Sequence, residues 1–281
     1  MKCSWQSLLN ILPLRFRTEV DKRGRLTLQE FRLRLGLRPE LVCSNGSLWL
    51  EDTVTTDDIS FVVNSASRYS PWTASSIRRG YITAPGGHRV GLCGDAVIQN
   101  AEMTGIRNPV SLCIRVARDF PGIAQAAAAY NGSVLIIGKP GSGKTTLLRD
   151  LIRLRSEQGP GSVGVVDERG EIFPVTENGS CFDAGRRTDV ITGCSKAVGI
   201  EVLLRTMGPE CIAVDEITAS EDCTALVNAG WSGVALLATA HAGSLEDLRN
   251  RPVYRPLCNC GLFQMVLVLK PDKSWSAERM V

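Results

Sequence analysis

Ser133-Val134-Leu135-Ile136-Ile137-Gly138-Lys139-Pro140-Gly141-Ser142-Gly143-Lys144-Thr145 is the stretch from which the rest of this chain is read. Ser133–Ile137 is a short, almost wholly apolar run, as a parallel strand buried on both faces requires. Gly138 to Thr145 then matches GxxxxGK[ST] at every position, and a helical pattern follows. Each residue type has a physical reason. The glycines let backbone N–H groups wrap phosphates with no side chain in the way. The helix N-terminus adds partial positive charge. Lys144 sets a point charge between β- and γ-phosphates, and the Thr145 hydroxyl suits a Mg²⁺ ion. The expected nucleotide contacts are Gly138, Lys139, Pro140, Gly141, Ser142, Gly143, Lys144, Thr145 and Thr146, with ATP and Mg²⁺ as cofactors. The competing reading, a chance glycine-rich turn, does not account for a strand before the motif and a helix after it.

Strand and helix keep alternating downstream. The pattern predicts a helix from Lys144 to about residue 155, strands at Val163–Asp167, 211–215, 234–239 and Phe263–Leu269, and helices at 200–207 and Ser220–Trp231. Alternation on this scale predicts an α/β domain with a mostly parallel, doubly wound sheet. The front of the chain reads differently. Residues 40–44 and 47–51 flank Asn45-Gly46, a hairpin turn signal. Thr56 and Asp57 open a helix that Pro71 stops. A second hairpin is predicted from 81–84 and 89–93 around Pro85-Gly86-Gly87, and a further strand from 110–116. Asp119, Pro121 and Gly122 read as a linker. The expected organisation is a smaller α+β domain over 1–120 and a P-loop domain over 121–281.

The 281 residues are 44% hydrophobic, with a formal net charge of +3. That is apolar material for one large or two modest domains, and too little charge to predict a nucleic-acid partner. Residues 1–125 carry 16 Lys+Arg against 11 Asp+Glu, and residues 126–281 carry 16 against 18. Ten cysteines include no CxxC pair, so reduced thiols of a cytoplasmic protein are expected. Asn10, Pro13 and Arg15 interrupt the N-terminal leucines, so no secretory signal is expected. No apolar run is long enough to span a bilayer. Membrane association, if any, is expected to be peripheral and through partners.

Further acids and bases sit where such a sheet binds ligands, at C-terminal strand ends. Residues 212–216 are an apolar run ending in two carboxylates. Asp215 suits the metal shell and Glu216 the orientation and deprotonation of an attacking water. They stand about seventy residues after the P-loop. His241 follows the strand over 234–239, where it could sense a γ-phosphate or be a histidine satisfied by the fold. Asp167-Glu168-Arg169-Gly170-Glu171 follows another strand and could assist metal or water, or be a charged loop. Arg186, Arg187 and Arg205 are candidates for a γ-phosphate arginine or for structural ion pairs.

The order of these motifs resembles the ATPases of type II and type IV secretion systems. The resemblance rests on the run 203–210 (Leu-Leu-Arg-Thr-Met-Gly-Pro-Glu), on 212–216, and on Leu237-Ala238-Thr239-Ala240-His241. A closer resemblance, to the stage III AA sporulation family of endospore-forming bacteria, lies in Gly87-His88-Arg89-Val90-Gly91-Leu92-Cys93-Gly94, in 165–172, in Arg187-Thr188-Asp189-Val190 and in 251–256. It implies a RecA-like ATPase domain behind a smaller α/β domain, with Glu168 as the acidic-box residue, Glu216 catalytic, His241 the His box and Arg205 the arginine of the LR element. It also implies a hexameric ring acting as motor for membrane proteins of a channel between mother cell and forespore. One departure stands out: secretion ATPases typically carry Gly before the catalytic Glu, and this chain carries Asp215. The alternative function is a nucleic-acid-associated P-loop ATPase. An aromatic and basic stacking stripe is missing from the sequence, so no nucleic-acid partner is expected.

Overall fold

The structure, a computed structural model, describes residues 3–67, 80–130, 132–176 and 179–280. The chain forms two compact units, Met1–Asp119 with Val175–Cys181, and Phe120–Pro174 with Phe182–Val281.

The first unit opens with helices α1 (Trp5–Asn10) and α2 (Leu14–Gly24), separated by Pro13. Strands β1 (Leu28–Arg34), β2 (Glu40–Cys43) and β3 (Gly46–Trp49) precede helix α3 (Thr56–Ser67), and β4 (Tyr81–Thr83), β5 (Arg89–Gln99) and β6 (Glu102–Arg115) complete a sheet. Its order is β3-β2-β1-β6-β5-β4, and each neighbouring pair is antiparallel. One face of α2 buries Phe16, Val20 and Gly24, and one face of α3 buries Ile59, Val62 and Ala66, both at helical spacing. Phe16 meets Phe31 of β1 edge to face, with ring centroids 6.1 Å apart. Helix α3 starts on a reciprocal cap. The Thr55 N–H donates to the Asp58 carboxylate at 2.7 Å, and the Asp58 N–H donates to the Thr55 hydroxyl at 3.3 Å. Arg15 of α2 pairs with the same carboxylate.

The structure corrects the reading of the second half of this unit. The expected strands 89–93 and 110–116 are only the buried ends of a long ribbon, which runs on to Gln99 and returns from Glu102. Asn100 and Ala101 turn it with φ of 51° and 63°, the twist a two-residue hairpin favours. Most of residues 94–109 are exposed or half-buried, so no alternation of apolar side chains marks them as strand.

In the second unit, β7 (Ser133–Ile137), α4 (Lys144–Gln158) and β8 (Val163–Asp167) come first. Strands β9 (Val175–Thr176) and β10 (Gly179–Ser180) form the small hairpin that belongs to the first unit. The second unit resumes with β11 (Thr188–Thr192), α5 (Lys196–Thr206), β12 (Cys211–Ile217), α6 (Ser220–Trp231) and β13 (Ala235–Ala240). It ends with α7 (Leu245–Asn250), α8 (Arg255–Asn259), β14 (Phe263–Leu269) and β15 (Trp275–Arg279). The sheet order is β11-β8-β12-β13-β7-β14-β15, parallel except for the last pair.

Strand alternation feeds two cores. Val134 and Ile136 pack with Leu147, Leu148, Leu151 and Ile152 of α4 on one face. Leu135 and Ile137 pack with the cluster of Ile200 and Leu203 of α5 and Leu226 of α6 on the other. Each such side chain contributes about 1.5–3 kcal/mol of burial, which is why these strands read as unbroken apolar runs. Strand β13 lies between β12 and β7. Its C-terminal end therefore stands between the loop after β7 and the acids at the end of β12. Local sequence pattern does not announce strands β11 and β15, at the sheet edges, or the first turn of α5.

Candidate functional site

The loop between β7 and α4 is shaped by its glycines. Gly141 and Gly143 have φ of 75° and 99°, conformations that a Cβ disfavours. At Gly138 a Cβ would stand 2.5 Å from the Ser142 Oγ. Lys144 is the first residue of α4 and is almost fully buried. Its ammonium group spends all three hydrogens locally. It donates to the carbonyls of Gly138 at 3.0 Å and Lys139 at 3.1 Å, and to Nδ1 of His241 at 3.0 Å. Burial pulls the Lys144 pKa below its ordinary value, and the charges of Asp215 and Glu216 oppose that shift.

The same helix start reaches the acids of β12. The Thr145 hydroxyl donates to Oδ2 of Asp215 at 2.6 Å. Glu216 follows at φ 46°, in the left-handed region. Its Oε1 lies 2.9 Å from Nε2 of His241, and its Oε2 accepts from Arg169 at 3.2 Å. An ammonium group can only donate, so Nδ1 of His241 accepts from Lys144 and Nε2 carries the hydrogen given to Glu216. His241 thus joins the P-loop lysine to the second acid, and Thr145 joins the P-loop to the first.

These residues suit a nucleotide and a divalent cation. The loop offers a cradle that side chains would fill, at the N-terminus of a fifteen-residue helix. The buried Ser142 Oγ has no hydrogen-bond partner among the described residues, so a donor or acceptor is to spare inside that loop. Thr145 and Asp215 place a hydroxyl and a carboxylate together, the hard oxygen pair that Mg²⁺ prefers.

Comparison with known proteins identifies the family and the fold. The family model described as "Sporulation stage III, protein AA" matches residues 4–278. The chain belongs to that family. It is 37% identical over 266 residues to stage III sporulation protein AA of Bacillus subtilis strain 168, covering 91% of this chain and 87% of that one. Among solved structures it is similar in fold to the ATPase DotB of Legionella pneumophila, with a TM-score of 0.62 and 17% identity over 95% of this chain and 80% of that one. It is similarly close to the pilus retraction motor PilT with bound ADP, with a TM-score of 0.60 and 13% identity over 89% and 76% of the two chains.

The remaining expected residues divide between those the structure gathers in and those it does not. In this family member Glu168 lines a cleft with Asp167, Arg169, Lys196, Asp215 and Glu216. It is ion-paired at 2.7 Å to Lys196, a nearly buried lysine that also lies 3.6 Å from Asp222. Lys139, Pro140 and Gly141 are exposed at the loop tip, and Thr146 is half-buried on α4. Arg205 is not brought in. It lies exposed in the last turn of α5, paired with Glu201 one turn earlier. Arg187 closes the C-terminus of α4, donating to the carbonyls of Ser156 at 2.8 Å and Gly159 at 2.6 Å. Arg186 stays exposed near Glu157.

Arg149, Lys196 and Thr239 belong to the site without being expected there as functional residues, and Asp167, expected only as part of a charged strand-end loop, joins them. Asp167 is buried, and its carboxylate accepts the N–H groups of Glu171, Ile172 and Phe173 at 2.8, 3.0 and 2.8 Å. Burial pushes its pKa up to about 6 against those hydrogen bonds, and the charge of Asp215 adds to the rise. Arg149 of α4 holds the same loop from the other side through the carbonyls of Glu171 and Ile172. The loop so pinned presents Glu168 and Arg169. Lys196 and Thr239 complete the set. Of these, Asp167 carries a signal, in the charged loop that follows a strand end, and Thr239 lies in the run that ends at His241.

Proposed function

We propose that this chain is a Mg²⁺-dependent ATPase of the RecA-like, secretion-ATPase type, working as a motor. The observation that carries the reading is the pair of links between P-loop and strand-end acids: Lys144 to Glu216 through His241, and Thr145 to Asp215 directly. A P-loop alone licenses nucleotide binding; a carboxylate held beside its lysine adds a base for water.

In this reading the N–H groups of 138–144 and Lys144 hold the phosphates, and Thr145 and Asp215 hold the metal. When bound, Mg²⁺ neutralises charge on the phosphate oxygens. Lys144 exchanges some of its present partners for phosphate. Glu216 orients the water and takes its proton, and His241 keeps that carboxylate beside the lysine. Glu168 polarises the far side of the cleft from its pair with Lys196. Arg205, exposed in the isolated chain, is available to a neighbouring copy's site in a ring. The family and the fold likeness to DotB and PilT support a cytoplasmic homo-oligomer, probed first as a hexamer, docked on membrane proteins of a mother cell–forespore channel.

The test is turnover of Mg·ATP by the purified chain and by Lys144→Ala. The wild type is expected to hydrolyse ATP and the variant to lose nucleotide binding. Wild-type binding by Lys144→Ala would sink the reading. Strong stimulation by single-stranded nucleic acid would instead favour the alternative of a nucleic-acid-associated ATPase.

A further inference from the structure

Thr239 is fully buried near the end of β13, two residues before His241. Both stand at the C-terminal end of β13, the strand that lies between β7 and β12. The Thr239 hydroxyl works in two directions. It accepts the backbone N–H of Glu216 at 2.8 Å and donates to Oδ1 of Asp215. Asp215 spends its other oxygen, Oδ2, on Thr145. A carboxylate engaged at both oxygens by groups on different elements is held in one plane.

The backbone contact has a separate consequence. Glu216 occupies φ 46°, a conformation unfavourable for a residue with a side chain, which persists only where its surroundings enforce it. Its N–H has two acceptors, the Thr239 hydroxyl and Oδ1 of Asp215 at 3.1 Å. The second of these is itself placed by Thr239.

We propose that Thr239 is a positioning residue for the Asp215–Glu216 pair. Its hydroxyl keeps Oδ2 of Asp215 aimed at Thr145 and holds the left-handed turn that sends the Glu216 side chain to His241 and Arg169. The inference rests on the ATPase reading above and adds to it a residue bonded to the two acids. Valine has the shape of threonine without the hydroxyl, and serine has the hydroxyl without the methyl, so the two substitutions separate hydrogen bonding from packing.

The experiment compares wild type, Thr239→Val and Thr239→Ser in three measurements: ATP turnover against Mg²⁺ concentration, binding of a fluorescent ATP analogue with Mg²⁺ or with EDTA, and thermal unfolding. Loss of one aimed hydrogen bond predicts about tenfold lower kcat in Thr239→Val and about a fivefold higher Mg²⁺ half-saturation. Binding in EDTA is expected within about twofold of wild type, and Thr239→Ser within about threefold in every measurement. Wild-type Mg²⁺ half-saturation in Thr239→Val overturns the proposal, as does a Thr239→Ser as impaired as Thr239→Val. Should Thr239→Val not fold, Thr239→Ala is read by the same criteria. If wild type binds the analogue but shows no turnover, the ATPase reading fails by itself. Thr239 is then judged by the Mg²⁺ dependence of analogue binding, and an unchanged dependence in Thr239→Val overturns it.

Discussion

Glu216 sits where three demands meet: a left-handed backbone, an imidazole at one carboxylate oxygen and a guanidinium at the other. Glu216→Gln keeps the size and loses the base. It is expected to bind ATP as wild type does and to lower kcat by about 100-fold or more, measured by single-turnover hydrolysis. Unchanged turnover would remove Glu216 from the mechanism. His88 makes the opposite use of an imidazole. Wholly buried in the first unit, it accepts the Ala117 N–H at Nδ1, so Nε2 donates to the Ser4 carbonyl, each at 3.1 Å. Burial pulls its pKa from 6.5 down to about 4, against its bond to Ser4. The folded state therefore holds it neutral while the unfolded chain takes up a proton below 6.5. Its stabilising contribution is full above that value and is lost as pH falls toward 4, by up to about 3 kcal/mol. Urea unfolding between pH 7 and 4.5 is expected to show this loss, and His88→Gln to flatten it. Equal pH slopes in the two proteins would refute the assignment.

At the scale of elements, the long ribbon β5–β6 depends on Gly94. A Cβ there would stand 2.6 Å from the Arg107 carbonyl oxygen, 2.7 Å from that of Asn108 and 2.9 Å from the Pro109 Cα. These are backbone atoms of the partner strand, beside a shift in pairing register between Cys93 and Asp95, and they cannot swing away. Gly94→Ala is expected to destabilise the protein by about 1–3 kcal/mol in urea unfolding without altering Mg·ATP binding. Gly143 shows the contrasting case. Nothing lies within 4 Å of a Cβ there, but its φ of 99° strains any side chain. Gly143→Ala is expected to cost about 1 kcal/mol and also to weaken nucleotide binding, because the strain falls on the N–H groups that would face phosphate. Isothermal binding of an ATP analogue separates the two glycines, and equal effects on binding would contradict these roles.

For the molecule as a whole, the proposed motor needs copies to act on one another. The isolated chain leaves Arg205 exposed on α5, paired with Glu201 one turn back. Gel filtration with light scattering is expected to show a larger assembly with Mg·ATP than without nucleotide. An unchanged monomer under turnover conditions would remove the ring from the proposal while leaving hydrolysis intact. No helix among the described residues is long and apolar enough to cross a membrane. The expected membrane partners are therefore tested by co-purification from sporulating cells.

The amino-acid pattern alone carries the parallel sheet, because strands buried on both faces must be continuous apolar runs, and it carries the glycine-rich loop, because glycine alone readily adopts the backbone found at Gly141 and Gly143. It also placed Asp215, Glu216, Glu168 and His241 at strand ends, where the topology lets side chains converge. Which of these touch depends on the order of the strands in the sheet. That β13 lies between β7 and β12 cannot be read from local pattern, and it is this order that brings His241 between Lys144 and Glu216 and Thr239 against Asp215. Lys196 lies in no motif, and the runs that hold Thr239 and Asp167 do not reveal their roles; those come from burial and from partners 23 to 28 residues away, or from a loop folded back on its own strand. The exposed ribbon was illegible for the converse reason. A strand with neither face buried leaves no alternation in the sequence, and its pairing is written only in backbone hydrogen bonds.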